Sequence, residues 1–127
     1  MPESRIRVKQ PPVGKPVMLW DGECGFCRRW ILRWQRITGE RVDYHPWQTL
    51  YSRFPEITPS EFEEAVFFVD IDGSVTSGAA AVLRALAEHP ERKVLYRWYQ
   101  KSPAFAAVAE WMYRRVAKNR RLLSRFS

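Results

Sequence analysis

Short apolar runs punctuated by turn and cap residues set the layout of this chain. Val17-Met18-Leu19-Trp20 is apolar throughout and predicts a strand over 17–20. Helical spacing follows over 24–38, with Cys27, Ile31 and Trp34 on one side, Arg28, Arg29, Arg33 and Arg36 on the other, and Gly39 as C-cap. Val42 and Tyr44 then alternate with Arg41 and Asp43, a strand of about 41–46 that Pro46 closes. Residues 47–58 read as a mixed connection, and Ser60 with Glu63 gives a capping-box pattern for a short helix near 59–64. The segment 65–70 is apolar enough to be a central strand covered on both faces, and Asp72-Gly73 turns it into a further strand over 74–77. An alanine-rich helix starts at Gly78 and stops before Pro90, a second helical stretch covers about 91–100, and a last helix runs from Pro103 to Lys118. In that last helix Phe105, Val108, Ala109, Met112 and Val116 recur at helical spacing, a stripe expected to lie in the core. Residues 1–16, with Pro11, Pro12 and Pro16, read as an extended lead-in to a single domain over 17–127.

Composition narrows the class. At 127 residues the chain is long enough to bury one core and too short for two. A hydrophobic content of 46% that includes six Trp, seven Phe and five Tyr excludes a disordered chain. The longest apolar runs, such as Ala65 to Val69, fall far short of a membrane span. The first residues carry charge and no apolar signal region, so a cytoplasmic protein is expected. The net charge of +7 is concentrated on the arginines after Cys27 and on Arg114, Arg115, Lys118, Arg120, Arg121 and Arg125. The second cluster could attract nucleic acid, anionic lipid or an acidic partner, but no nucleic-acid motif accompanies it, and a plain basic tail is the preferred reading.

The only two cysteines stand in a C-x-x-C, Cys24-Gly25-Phe26-Cys27, directly after the first strand and at the mouth of the first helix. A thiol placed there faces unpaired helix N–H groups and the positive end of the helix dipole, which favour the reactive thiolate. Side chains at i and i+3 share a helix face and can form a disulfide. Cys24, nearer the helix end, is the expected nucleophile. Cys27, one turn further in, is the expected resolving thiol. A zinc site is the usual rival, but its other ligands would have to be His45 and His89, separated far beyond finger spacing, and no second C-x-x-C exists. Two inert core cysteines are the remaining alternative.

The order β-α-β-α-β-β-α with C-x-x-C at the first strand–helix junction is that of the thioredoxin fold. Asp21-Gly22-x-Cys24-x-x-Cys27, Asp72-Gly73-x-x-x-x-Gly78-x-x-Ala81 and Tyr113-Arg114-x-x-Ala117-x-Asn119-Arg120 together resemble the DCC family of predicted thiol-disulfide oxidoreductases, from about Val17 to Ser124. The resemblance implies an α/β, thioredoxin-like three-layer sandwich: a central mixed four-stranded sheet, flanking helices and extra C-terminal helices. It also implies a redox role for Asp21, Cys24 and Cys27. One departure stands out. Thioredoxins place a cis-proline immediately before the third strand, against the C-x-x-C, whereas Glu63 and Glu64 precede Ala65 here.

That topology brings His45, Thr76, Ser77 and Gly78 to the edge that carries Cys24. The Ser-Gly helix start offers N–H groups to an anion, making a glutathione-like thiol a sensible partner, with Ser77 as a plain N-cap the competing reading. Asp21 either moves a proton for Cys27 or caps the turn. Trp20 and Phe26 are expected to flank the thiols and shield Cys27, and Gly25 and Phe26 to influence the redox potential. The function expected is thiol–disulfide exchange with an external thiol donor and no metal or tightly bound cofactor. A redox-sensing or binding module that docks through the basic C-terminal tail is the alternative.

Overall fold

The computed structural model describes residues 3–119. Five strands form one mixed sheet: β1 (Glu3–Arg7), β2 (Val17–Trp20), β3 (Asp43–Pro46), β4 (Phe67–Val69) and β5 (Ser74–Ser77), in the spatial order β1-β5-β4-β2-β3. Six α-helices accompany them: α1 (Gly25–Thr38), α2 (Trp47–Leu50), α3 (Pro59–Glu64), α4 (Gly78–Leu86), α5 (Lys93–Lys101) and α6 (Pro103–Lys118). β3 runs parallel to β2, while β4 is antiparallel to both β2 and β5. The carboxyl ends of β2, β3 and β5 therefore share one edge of the sheet, and α1 and α4 start from it.

The expected architecture of layers holds, with one strand more than the four anticipated. The lead-in supplies it: β1 pairs antiparallel with β5 through Glu3–Thr76 and Arg7–Ser74. Beyond the strand, Val8 is buried against Val17, Val69 and Val75. The alternation Ile6-Arg7-Val8 that directs this pairing is too short to announce a strand ahead of two prolines.

The sheet separates two cores. On one face Val17, Leu19, Phe67, Val69 and Val75 pack against Phe54, Ile57 and Phe62 of the 47–64 connection. On the other, Met18, Trp20 and Phe68 pack against Ile31 of α1 and Ala81 and Ala85 of α4. A third cluster, Ala79, Ala80, Tyr99 and Ala106, seats α5 and α6 on the outer side of α4. The short side chains of α4 let those helices approach closely on one side and the sheet on the other.

Several boundaries move for identifiable reasons. β3 begins at Asp43 because Gly39–Arg41 forms a 3-10 turn, with Gly39 closing α1 at φ 60°. Thr38 at the end of α1 is buried, and its hydroxyl meets Tyr44 Oη at 2.8 Å, tying the helix to β3. Burial pushes the Tyr44 phenol pKa up, with the Thr38 bond pulling it the other way. The capping box of α3 is Thr58 with Glu61, two residues ahead of the Ser60–Glu63 pair. Both pairs have the right spacing, and Pro59 decides between them, because proline favours the first helical position and Thr58 must then be the cap.

Candidate active site

Trp20, the last residue of β2, leads into a tight turn, Asp21 to Cys24, closed by the Cys24 N–H donating to the Asp21 carbonyl at 3.2 Å. Asp21 Oδ1 accepts the Glu23 N–H and the side-chain amide of Gln48, each at 3.0 Å, and Gln48 Oε1 takes the Gly22 N–H at 3.1 Å. Gln48 in α2 thus clamps the turn from the side. Gly22 is required by close packing: a Cβ there would lie 2.8 Å from Pro46 Cβ. Of the two roles considered for Asp21, the turn cap is present.

Cys24 is the N-cap of α1. Its backbone is extended and its Sγ accepts the Cys27 N–H at 3.2 Å, using one of the otherwise unpaired amides of the first turn. Both cysteines are half-buried and are not joined to each other. Gly25 is exposed, and a Cβ built on it would meet nothing within 4 Å, so the approach to Cys24 from that side is open.

Cys27 faces a groove of about 350 Å3 between α1 and α6, floored by α4. Phe26, Trp30 and Trp34 form one wall, and Phe105, Met112 and Val116 form the other. Trp30 packs edge-on to Phe26 and against Trp34, each with centroids 6.2 Å apart. Asp21, Val66 and Tyr113 line the groove near Cys27. The α6 stripe is core only in part: Phe105 and Ala109 pack against the cluster that seats α6, whereas Val108 and Met112 are each 57% exposed and Val116 42%. Helix α6 packs through Ala106, Ala109, Glu110 and Tyr113, which turns Met112 and Val116 outward along the groove.

Residues 18–126 match a family model, that of the DCC1-like thiol-disulfide oxidoreductases, which takes in both cysteines and all of α6. The chain belongs to this family. No curated protein and no solved structure matches it.

In this DCC1-like chain the sheet edge beside Cys24 is already occupied by its own groups. The N–H donors expected to await an anion at Ser77-Gly78 are filled. Glu110 of α6 accepts the Ala79 N–H at 3.2 Å and the Ala80 N–H at 3.4 Å, and it also accepts the Tyr99 hydroxyl. The Gly78 N–H donates to the Val66 carbonyl at 3.1 Å. Ser77 stands at the N-cap position, but its side chain makes no capping bond. Gly78, at φ 63°, has space only for hydrogen, since a Cβ would sit 2.9 Å from Glu110 Oε1. Thr76 is buried within β5.

At the residue before β4, where thioredoxins carry their cis-proline, the Val66 N–H donates to Tyr113 Oη at 2.9 Å. The described residues contain no cis peptide bond. His45 pairs with Leu19 in the β2–β3 register, so it lies on the Leu19 face of the sheet, while Cys27 packs against the Met18–Trp20 core on the other. His45 lies at the same sheet edge as Cys24, and the sheet stands between it and Cys27. Trp20 is 8% exposed and packs in the same core cluster as Cys27.

Among the described residues no three His, Cys, Asp or Glu side chains gather as metal ligands, and no helix is long and apolar enough to cross a membrane. Arg114, Arg115 and Lys118 are exposed at the end of α6, and Arg120, Arg121 and Arg125 lie outside the described residues. Gln48, Glu110 and Tyr113 act on this edge through contacts 26 to 47 residues away in sequence, and local pattern does not announce them.

Proposed function

We propose that the chain catalyses thiol–disulfide exchange with Cys24 as the attacking thiol and Cys27 as the resolving thiol. The observation that carries this reading is Cys24 Sγ at the N-cap of α1, bonded to the Cys27 N–H and open to approach over Gly25. Cys24 as thiolate attacks one sulfur of a substrate disulfide, forming a mixed disulfide and expelling the first thiol, which takes a proton. Cys27 then gives up its proton and attacks Cys24 Sγ, closing the Cys24–Cys27 disulfide and releasing the second thiol. Two electrons and two protons pass to the substrate, and an external thiol donor restores the dithiol. Asp21 borders the groove beside Cys27, which supports it as acceptor of the Cys27 proton while it holds the turn.

Pre-reduced protein mixed with hydroxyethyl disulfide, with both cysteines followed by mass, tests the assignment. Wild type should form the internal disulfide, Cys27→Ser should accumulate a mixed disulfide on Cys24, and Cys24→Ser should react at the uncatalysed rate. Equal rates for wild type and Cys24→Ser would overturn the proposal.

A further inference from the structure

We infer that the groove between α1 and α6 is where the substrate is held, and that the substrate is an amphiphilic disulfide: an apolar chain on one sulfur, an anionic group close to the other. The inference rests on the exchange chemistry proposed above and adds its substrate class. Three independent features lead to it.

The groove is of small-molecule size, is walled almost wholly by aromatic and aliphatic side chains, and has Cys27 among its lining residues. Met112 and Val116 keep much of their surface in water along it, an arrangement that an apolar ligand would relieve.

Two arginines of α1 stand near the groove's Cys24 end and its wall. The Arg28 guanidinium donates to the Gly22 carbonyl at 3.5 Å, in the turn that leads into Cys24, and the Arg33 guanidinium lies 4.9 Å from the centroid of the Trp30 ring, while α1 has no acidic residue. Helix α6 contacts Val66 and Gly78 through Tyr113 and carries Arg114, Arg115 and Lys118 on its exposed side, while its one carboxylate, Glu110, is turned into α4. The carboxylate that lines the groove, Asp21, is engaged by Gln48 and the Glu23 amide. An anion near the disulfide would meet positive potential at the catalytic end, with the chain lying back toward Trp34 and Phe105.

Polar substrates find their docking groups taken. The Val66 N–H is bonded to Tyr113 and its carbonyl to the Gly78 N–H, so an extended peptide meets neither a donor nor an unshared carbonyl at that residue. Glu110 fills the first amides of α4, where the carboxylate of a glutathione-like thiol would have to bind.

In the covalent step Cys24 attacks the sulfur bearing the apolar chain and expels the anionic thiol. Cys27 then closes on Cys24 and releases the alkyl thiol, with two electrons and two protons transferred as above.

The test is a single-turnover series with alkyl 2-carboxyethyl disulfides, methyl to octyl, on pre-reduced protein, alongside equilibrium titration with decanoate followed by tryptophan fluorescence. A fully buried methylene is worth about fourfold in an equilibrium constant, so partial cover of the chain should raise the second-order rate constant at least about thirtyfold from methyl to octyl. Replacing the carboxylate by a hydroxyl should lower it several-fold at low salt. Met112→Glu, at an exposed position, should remove most of the chain-length gain and weaken decanoate binding at least about tenfold. A rate independent of chain length with turnover intact would overturn the substrate class and leave the exchange proposal standing. Decanoate binding that Met112→Glu weakens, with no turnover of any disulfide, would keep the groove as an amphiphile site and sink the exchange chemistry. Binding only to anionic vesicles, or a dimer that buries Trp30 and Met112 and excludes decanoate, would overturn the inference.

Discussion

Replacing Glu110 by alanine should destabilise the protein by about 2–4 kcal/mol, because one half-buried carboxylate serves three donors on the buried residues Ala79, Ala80 and Tyr99. It accepts the amides of Ala79 and Ala80, as an N-cap would, and losing a cap costs about 1 kcal/mol. It also accepts the hydroxyl of Tyr99, a residue 1% exposed, and depriving a buried hydroxyl of its acceptor costs about 1–3 kcal/mol. For a chain of this length the loss corresponds to a fall in Tm on the order of 8–15 °C. Urea unfolding followed by circular dichroism should show a lower midpoint at unchanged slope. The double variant with Tyr99→Phe should recover about 1 kcal/mol relative to Glu110→Ala alone, since donor and acceptor are then removed together. Sulfate or acetate should stabilise Glu110→Ala more than wild type by occupying the vacated helix end. A loss below about 0.5 kcal/mol, or additive effects of the two substitutions, would refute the view that Glu110 caps α4 and satisfies Tyr99.

Gln48→Ala should loosen the Asp21–Cys24 turn, costing about 1 kcal/mol and slowing Cys24 alkylation or exchange several-fold, read by urea unfolding and stopped-flow kinetics; unchanged kinetics would deny the clamp a role at Cys24. Burial raises the Tyr44 phenol pKa above its ordinary value of 10.0. Above that pH the unfolded chain has released the phenolic proton while the folded chain retains it, so stability should fall as pH rises past about 10, and less steeply in Tyr44→Phe. Denaturant midpoints measured between pH 8 and 11 give the slope. Thr58→Ala should cost about 1 kcal/mol through loss of the α3 capping box, whereas Ser60→Ala should change stability by less than about 0.5 kcal/mol; the reverse ranking would return the box to Ser60.

What was legible in the sequence is what is encoded locally. Val17 to Trp20, Ser74 to Ser77 and Pro103 to Lys118 have the predicted bounds because apolar runs, an Asp-Gly turn and an N-terminal proline mark them. The order of elements followed, and with it the parallel relation of β2 and β3 and the position of Cys24 at a helix mouth. Tertiary competition set the rest. The strand expected over 65–70 is confined to Phe67–Val69, since Ala65 donates to the Glu61 carbonyl and Val66 bonds to Tyr113 and Gly78. The stripe on α6 has helical spacing whether it faces a core or a groove, and periodicity records a face without naming its neighbour. Ser77-Gly78 reads as an open anion site until a carboxylate from 31 residues further on arrives to fill it.

The bond from the Val66 N–H to Tyr113, and those from α4 to Glu110, also fix an order in time. During synthesis the sheet, α1 and α4 all emerge from the ribosome before α6, and at about 5–20 residues per second the stretch from Ala80 to Tyr113 takes seconds to follow. Over that interval both cysteines are on a nascent chain whose α4 amides and Val66 N–H are paired only with water and whose groove has a single wall. On the exchange reading proposed above, thiol reactivity at Cys24 precedes substrate selectivity, and the newly made chain stays open to stray oxidants until its last helix docks.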